Sequence, residues 1–404
     1  MRILYLHQYF MTRAGVGGTR SYEFARRFVA RGHEVSMVTA ASSAEDSRRR
    51  VDGIDVVPVR GGYSDYVSGT AISYPRRVLA FGQFAAAATA TVIRLPRPDV
   101  VYATSPPLTM ALPGMAASRR HRAPLVFEVR DLWPEAPIQM GALRNPAAQR
   151  AARGLERLVY RAAAEVIALS PGMRDGVIAA GKPPERVTLV PNASDLELFS
   201  PALDGAAARK RLGLGERFVC SYFGTMGEAN DLAPVIEAAA LMRERGEDGV
   251  AFVLHGQGKR RPELEELARR RGADNVVFSD PVPDKHSVAE LAAASDACMT
   301  IYKDVPILAT CSPNKLFDTF AAGRPAIVNT EGWLRSLVED NDAGVFVRPN
   351  DPADLAARVA ELRDDPRAVA RYGRNARSLA EREFDRDMLA ERALSVLESA
   401  ATRA

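Results

Sequence analysis

Short apolar runs alternate along the chain with stretches whose apolar residues recur every three or four positions, and the alternation starts over once. The first run, residues 2–6, suits a buried strand. Gly15, Gly17 and Gly18 follow, and then Tyr22, Ala25, Phe28 and Val29 share one face of a helix that ends by Gly32. A second run at 35–39 completes strand, loop, helix and strand, the unit of parallel sheets. Runs at 54–59, 100–103, 125–129, 166–169 and 187–190 extend the series. At 218–223 it begins again, and runs at 250–254, 276–278, 297–301, 326–328 and 345–347 follow, with helical patterns between. Two consecutive series predict an α/β chain of two Rossmann-like βαβ domains, not one very wide sheet. The segment "DLELFSPALDG" (195–205) carries turn residues without periodicity and marks the joint. From Pro352 onward the pattern is almost wholly helical.

Composition narrows the function more than the fold. With 47% hydrophobic and 26% charged residues the chain is globular, and 404 residues suit two domains. Its three cysteines form no CxxC pair, which argues against a disulfide framework and a structural zinc site. Five histidines without an HExxH leave little for a metal enzyme, so no metal is expected. A net charge of +4 is mild and gives no footing to a nucleic-acid partner. Residues 1–10 lack a signal-peptide core, and the apolar stretch 78–93 falls short of the roughly 20 residues of a membrane span. A cytoplasmic protein is expected, with contact at a membrane surface left open. The segment 77–94 reads as a packed helix, because its polar face lacks the basic row of an interfacial one.

In open parallel sheets, ligands bind where strand ends lead into helix N-termini. Three such places carry unusual residues. In "ATCSPNKLFDTFAAGRP" (309–325), Ser312 is the expected N-cap, Pro313 the first helical residue and Gly323 the stop. Lys315 then opposes the helix dipole at its positive end, and a bound anion would reverse the sign of that cost. Free amides behind Ser312 and Asn314, together with Lys315, would cradle a diphosphate. Asp318, three residues on, would accept two ribose hydroxyls. The competing reading is a Lys315–Asp318 surface pair worth about 0.2–0.5 kcal/mol. In "GVGGTR" (15–20), Gly17 and Gly18 allow close backbone approach, Thr19 caps the helix, and Arg20 repeats the cation in the first turn. The spacing is not GxGxxG, so a dinucleotide is not implied. In "EVRDLWPE" (128–135), Glu128, Arg130 and Asp131 close a strand, as catalytic groups or as a structural ion pair beside Trp133. "GTMG" (224–227) repeats the first glycine loop and brings Gly224, Thr225 and Gly227 near the sugar or phosphates. "GQGKRR" (256–261) reads as a turn with solvated charges, Asp340–Asp342 as a loop, and His255 as a satisfied, partly buried imidazole.

These residues carry a specific resemblance. "MRILYLHQYF", "GGTRSYEFARRFVARGHEV", "VFEVRDLWPEAPIQMG", "IALSPGMRDGV", "VPNASDLELF" and "SPNKLFDTFAAGRPAI" span nearly the whole chain. In that order they resemble retaining glycosyltransferases of family 4, with the GT-B fold, and the branch that builds bacterial O-antigens, colanic acid and capsules. The resemblance implies an acceptor-binding domain at 1–197 and a nucleotide-sugar-binding domain at 198–375. Helices at 376–404 would cross back to the first domain, and a cleft would separate the two. It implies a UDP-sugar donor, an N-acetylhexosamine as the sugar, no cofactor or metal, and a glycan, lipid-linked or natural-product acceptor. The family's Glu-x7-Glu pair falls on Thr310 and Asp318, and its Arg and Lys fall on Thr225 and Asn230. The diphosphate charge then rests on Lys315. Without a second carboxylate, same-face attack is expected, with Asp131 or Glu128 orienting the acceptor and Arg130 adding positive field. A sugar-nucleotide 2-epimerase and a non-catalytic binder are the alternatives.

Overall fold

The computed structural model describes residues 1–15, 17–41, 46–61, 74–281 and 284–403. The first series builds an eight-stranded sheet from β1 (Arg2–Leu6), β2 (Glu34–Ala40), β3 (Arg49–Val51), β4 (Ile54–Val59), β5 (Val100–Thr104), β6 (Leu125–Val129), β7 (Glu165–Ala168) and β8 (Val187–Leu189). Their order is β3-β4-β2-β1-β5-β6-β7-β8. The second series builds a six-stranded sheet from β9 (Phe218–Phe223), β10 (Val250–His255), β11 (Val276–Ser279), β12 (Ala297–Thr300), β13 (Ala326–Val328) and β14 (Gly344–Phe346), ordered β11-β10-β9-β12-β13-β14. All pairings are parallel except β3 with β4. Parallel strands covered by helices on both faces are largely apolar, which is why β1, β5 and β10 read as hydrophobic runs and why Glu128 in β6 stands out. In both sheets the order reverses beside the first strand of the series, so each half has a crevice at the carboxyl ends of its central strands.

The expected α/β architecture of two Rossmann-like halves is the one observed. β3 is the addition. Its sequence, Arg49-Arg50-Val51, has no apolar run to announce it, and it closes the sheet edge as a short antiparallel strand. The helix Tyr74–Val92 packs Phe84, Ala85, Ala88 and Val92 inward against the helix Ala111–His121 and the sheet. It lies on one sheet only, and Val78 and Leu79 remain exposed.

The chain changes lobes between Ala193, in the first core, and Phe199, in the second. It returns later than residue 376, where the crossing was expected to begin. The helix Pro366–Glu383 runs through that position and buries Ala376, Leu379 and Ala380 in the second core. The return comes at Phe384–Asp385, where Asp385 forms a parallel bridge with Ser194. The last helix, Arg386–Thr402, then seals the first core with Leu389, Ala393, Leu394 and Leu397. Both crossings therefore run side by side.

Candidate active site between the two lobes

A cleft of about 460 Å³ opens between the carboxyl ends of the two sheets, within the range of ligand sites. From the first lobe it is lined by His7, Gly17, Gly18, Arg130 and Asp131, and from the second by Gly224, Thr225, Asn314, Lys315 and Asp318. The loop after β1 reaches across it. A Cβ built on Gly18 would lie 3.5 Å from the Arg130 guanidinium and 3.8 Å from the Asn314 amide nitrogen.

Lys315 occupies the second position of the helix Asn314–Ala321. Its Nζ donates to Tyr222 Oη at 2.7 Å and sits 3.9 Å above the ring of that tyrosine, whose hydroxyl donates in turn to the Thr225 carbonyl. Gly224 allows this approach. Its φ of +147° suits glycine, and a Cβ there would meet Nζ at 3.0 Å. Among the described residues Lys315 has no carboxylate partner. Burial therefore dominates and pulls the amine down to about 7, with a small opposing pull from Cys311. The Lys315–Asp318 pair does not form. Asp318 Oδ1 accepts from Ser194 Oγ at 2.8 Å and lies 3.7 Å from Lys285 Nζ, and Oδ2 takes no hydrogen bond among the described residues.

The helix starts one residue later than expected. Pro313 is its N-cap, and Ser312 does not cap it. The Ser312 hydroxyl instead accepts from the Asn192 amide at 3.0 Å, and its carbonyl accepts from Asn192 Nδ2 at 2.6 Å, which ties it to the first lobe. Thr310 does not line the cleft. The short 3₁₀ turn Pro306–Thr310 swings its side chain against Gly172, its hydroxyl donates to the Ile307 carbonyl, and its own carbonyl accepts from Ser170. Gly227 also lies outside the lining, and its carbonyl accepts from the Asn230 amide in a tight turn.

Two residues expected to face ligand are committed elsewhere. Arg20 is 3% exposed, and its guanidinium donates to Glu128 Oε1 at 3.0 and 2.9 Å and to the carbonyls of Pro191 and Val190. Glu128, fully buried, also accepts from Tyr102 Oη and Thr104 Oγ1, each at 2.6 Å. Burial alone would raise its carboxyl, but the Arg20 and Arg130 charges and these hydrogen bonds hold it below its ordinary value. The reason is positional. Glu128 still belongs to β6 and points into the layer under the first helix, whereas Arg130 and Asp131 lie beyond the strand end. Thr19, expected to cap that helix, makes no side-chain cap bond. Asp131 takes no side-chain hydrogen bond among the described residues, and burial raises it to about 6 against the pull of Arg130.

Several lining residues escaped the sequence reading. His7 stands just past the end of β1, and Lys285 opens the helix Lys285–Ala294 behind the N-cap Asp284. Lys285 carries the same signal that marked Lys315, a cation in the first turn after a strand-to-helix loop. His255 is only half satisfied. Nδ1 meets Ser279 Oγ at 2.9 Å, while Nε2 is buried without a partner among the described residues, and its neighbours Gly256 and Gln257 also line the cleft. Asp342 leaves the Asp340–Asp342 loop to bind Arg371 at 2.7 Å, and it does not line the cleft.

Comparison with known proteins accounts for both lobes. A glycosyl transferase 4-like domain model matches residues 16–193, and a model of glycosyl transferases group 1 matches residues 217–365. A D-inositol 3-phosphate glycosyltransferase of Thermomonospora curvata is 31% identical over 398 residues, covering 90% of this chain and 87% of that one. Among solved structures, sucrose-phosphate synthase of Thermosynechococcus elongatus superposes over 100% of both chains with a TM-score of 0.81 at 18% identity. HepE of Anabaena in complex with UDP-glucose covers 99% of this chain and 100% of its own, with a TM-score of 0.74 at 22% identity. Each lobe thus has its own family match, and a relative above 30% identity covers nine-tenths of the chain: the chain belongs to the family 4 glycosyltransferases of GT-B architecture, and its chemistry is glycosyl transfer.

Proposed function

We propose that the enzyme moves an N-acetylhexosamine from UDP to an acceptor hydroxyl, with retention at the anomeric carbon and with no metal. One observation carries the reading: Lys315 is an amine without a carboxylate partner, pinned at the start of a helix and facing the cleft. As the C1–O bond breaks, negative charge grows on the leaving diphosphate, and prearranged positive groups act most strongly on charge that develops during the step. Lys315 and the first-turn amides of Asn314 and Lys315 meet that charge from one side, and the Gly17 and Gly18 amides and Arg130 meet it from the other. Asp318, through its free Oδ2, takes the ribose hydroxyls. Uridine is supported by the likeness to HepE, which was solved with UDP-glucose. The amino sugar is supported by the resemblance to the polysaccharide branch.

Retention is supported by the resemblance to the retaining family 4 enzymes, and the groups in the cleft bear on its route. Glu128 is consumed by Arg20 and Thr310 carries no carboxylate and is turned away, so neither position supplies the nucleophile of a double displacement, which favours same-face attack. The acceptor oxygen bonds to C1 on the face the diphosphate leaves, and a diphosphate oxygen takes the acceptor proton. Asp131 orients the acceptor hydroxyl. A sugar-nucleotide 2-epimerase needs proton-transfer groups around C2, and His7, bonded on both ring nitrogens, is a poor one.

A lipid-linked acceptor is favoured over a free one by the outer face of the first lobe. Arg119, Arg120, Arg122, Arg150, Arg157 and Arg161 are exposed there without carboxylate partners among the described residues, and Leu158, beside Arg157 in sequence, is exposed as well. Such a surface suits an anionic bilayer. No helix among the described residues is long and apolar enough to cross one. Incubation with a panel of nucleotide sugars tests the reading. Slow release of UDP from UDP-N-acetylhexosamine supports it, interconversion of sugars indicates an epimerase, and saturable binding without turnover indicates a binder. Sedimentation with phosphatidylglycerol vesicles tests the acceptor side.

A further inference from the structure

Arg130 is a cation that the first lobe brings to the cleft, and it has no ion-pair partner among the described residues. It is nevertheless held. Its backbone amide donates to Ser105 Oγ at 3.0 Å, and NH1 lies 3.1 Å from His7 Nε2. A guanidinium has only donors, so His7 Nε2 must be the acceptor and must carry no proton. The proton of the neutral ring is then on Nδ1, which lies 2.7 Å from Ser21 Oγ and donates to it. His7 is 2% exposed and Ser21 is 1% exposed, so water does not compete for either contact. The tautomer follows from the partners.

A carboxylate in place of His7 would hold the guanidinium equally well but would cancel its charge. Glu128 does this to Arg20. A neutral imidazole fixes direction and leaves the full positive charge for whatever enters the cleft. We infer that His7 is a positioning residue for glycosyl transfer, locked by Ser21 as the Nδ1–H tautomer so that it aims Arg130 at the donor diphosphate without neutralising it. Burial and the adjacent guanidinium both disfavour protonation of the ring, which keeps the acceptor available. The inference rests on the diphosphate reading above for what Arg130 meets, and on geometry alone for the Ser21–His7–Arg130 chain.

The two layers are tested separately. In full-length protein labelled with ¹⁵N-histidine, long-range ¹H–¹⁵N spectra should give His7 the shifts of a neutral Nδ1–H ring that does not titrate between about pH 5 and 8. An Nε2–H ring, or ordinary titration in that window, overturns the proposal whatever the substrate. With UDP-N-acetylglucosamine as probe and UDP release as readout, His7→Leu should lower kcat/KM by about tenfold or more. His7→Gln, whose side-chain oxygen reaches the Nε2 position, should recover most of that loss. In an Arg130→Ala background, His7→Leu should cost nothing further. Independent, multiplying losses from the two substitutions, or equal losses from Leu and Gln, would overturn the positioning role. Absence of UDP release from the unmutated enzyme would count against the donor assignment and leave the spectroscopic test standing.

Discussion

Arg20 and Lys315 each stand at the start of a helix just behind a strand-end loop, and the fold uses the two cations in opposite ways. Arg20 begins the first lobe's leading helix and is swallowed by the fold: one buried carboxylate and two carbonyls consume its donors. Lys315 begins a helix of the second lobe and meets the Tyr222 hydroxyl and the rings of Tyr222 and Tyr302, with no carboxylate among the described residues. The same sequence signal thus describes a structural ion pair in one place and an uncompensated charge in the other. A cation at a helix start marks a site only when the fold supplies nothing to neutralise it.

The sharpest way to break that contrast is to remove the partner that only one of the two has. Glu128→Ala strands Arg20 without its counter-ion, and breaking a buried pair from one side costs about 3–5 kcal/mol. The urea midpoint should fall accordingly. Lys315→Met, measured the same way, should leave stability unchanged or improved, since it deletes a desolvated charge. Comparable losses of stability in both variants would erase the distinction drawn here. In turnover the order reverses. Lys315→Met should reduce kcat for UDP release by about a hundredfold to a thousandfold, the usual cost of losing one prearranged group at developing negative charge.

A pH series sharpens the same point. With its amine near 7, free Lys315 is charged below that pH and increasingly neutral above it. A bound diphosphate raises the amine, so binding above pH 7 takes up a proton. UDP affinity, measured by calorimetry, should therefore be full below about pH 7 and fall by up to tenfold per pH unit above it. That slope should vanish in Lys315→Met. The smallest effect belongs to the turned-away residue. Thr310→Val loses one hydrogen bond to the Ile307 carbonyl and should cost only about 0.5–1.5 kcal/mol of stability. UDP release should remain within about twofold of wild type. A large loss of turnover would put that side chain back into the cleft.

Much of the fold was legible in the sequence because parallel strands buried on both faces leave unbroken apolar runs, and β3, which lacks one, was the strand missed. In the site, legibility followed distance along the chain. Lys315, Asn314, Gly17, Gly18, Arg130 and Asp131 were found because strand ends and helix starts are local patterns. Arg20 and Glu128 were misjudged because they are 108 positions apart and nothing local announces their meeting. Ser312 and Thr310 shifted because a 3₁₀ turn and a partner from the other lobe, Asn192, set their directions. Lys285 was overlooked although it carried the signal that revealed Lys315, and His7 although it lies just past a strand end.

The paired crossings near Ser194 and Asp385 have a mechanical consequence. The Ser194 amide donates to the Phe384 carbonyl at 3.0 Å and its carbonyl accepts from the Arg386 amide at 3.2 Å, so the outgoing and returning chains are stitched together at one spot. Bodies pinned there can swing like a hinged shell but cannot slide past each other without tearing the stitch. Widening is then greatest at the rim and least at the pin. Ser194 also grips Asp318, so the carboxylate assigned to the ribose sits where swinging displaces it least. A nucleotide held as proposed would be admitted and expelled at the rim while Asp318 stays put.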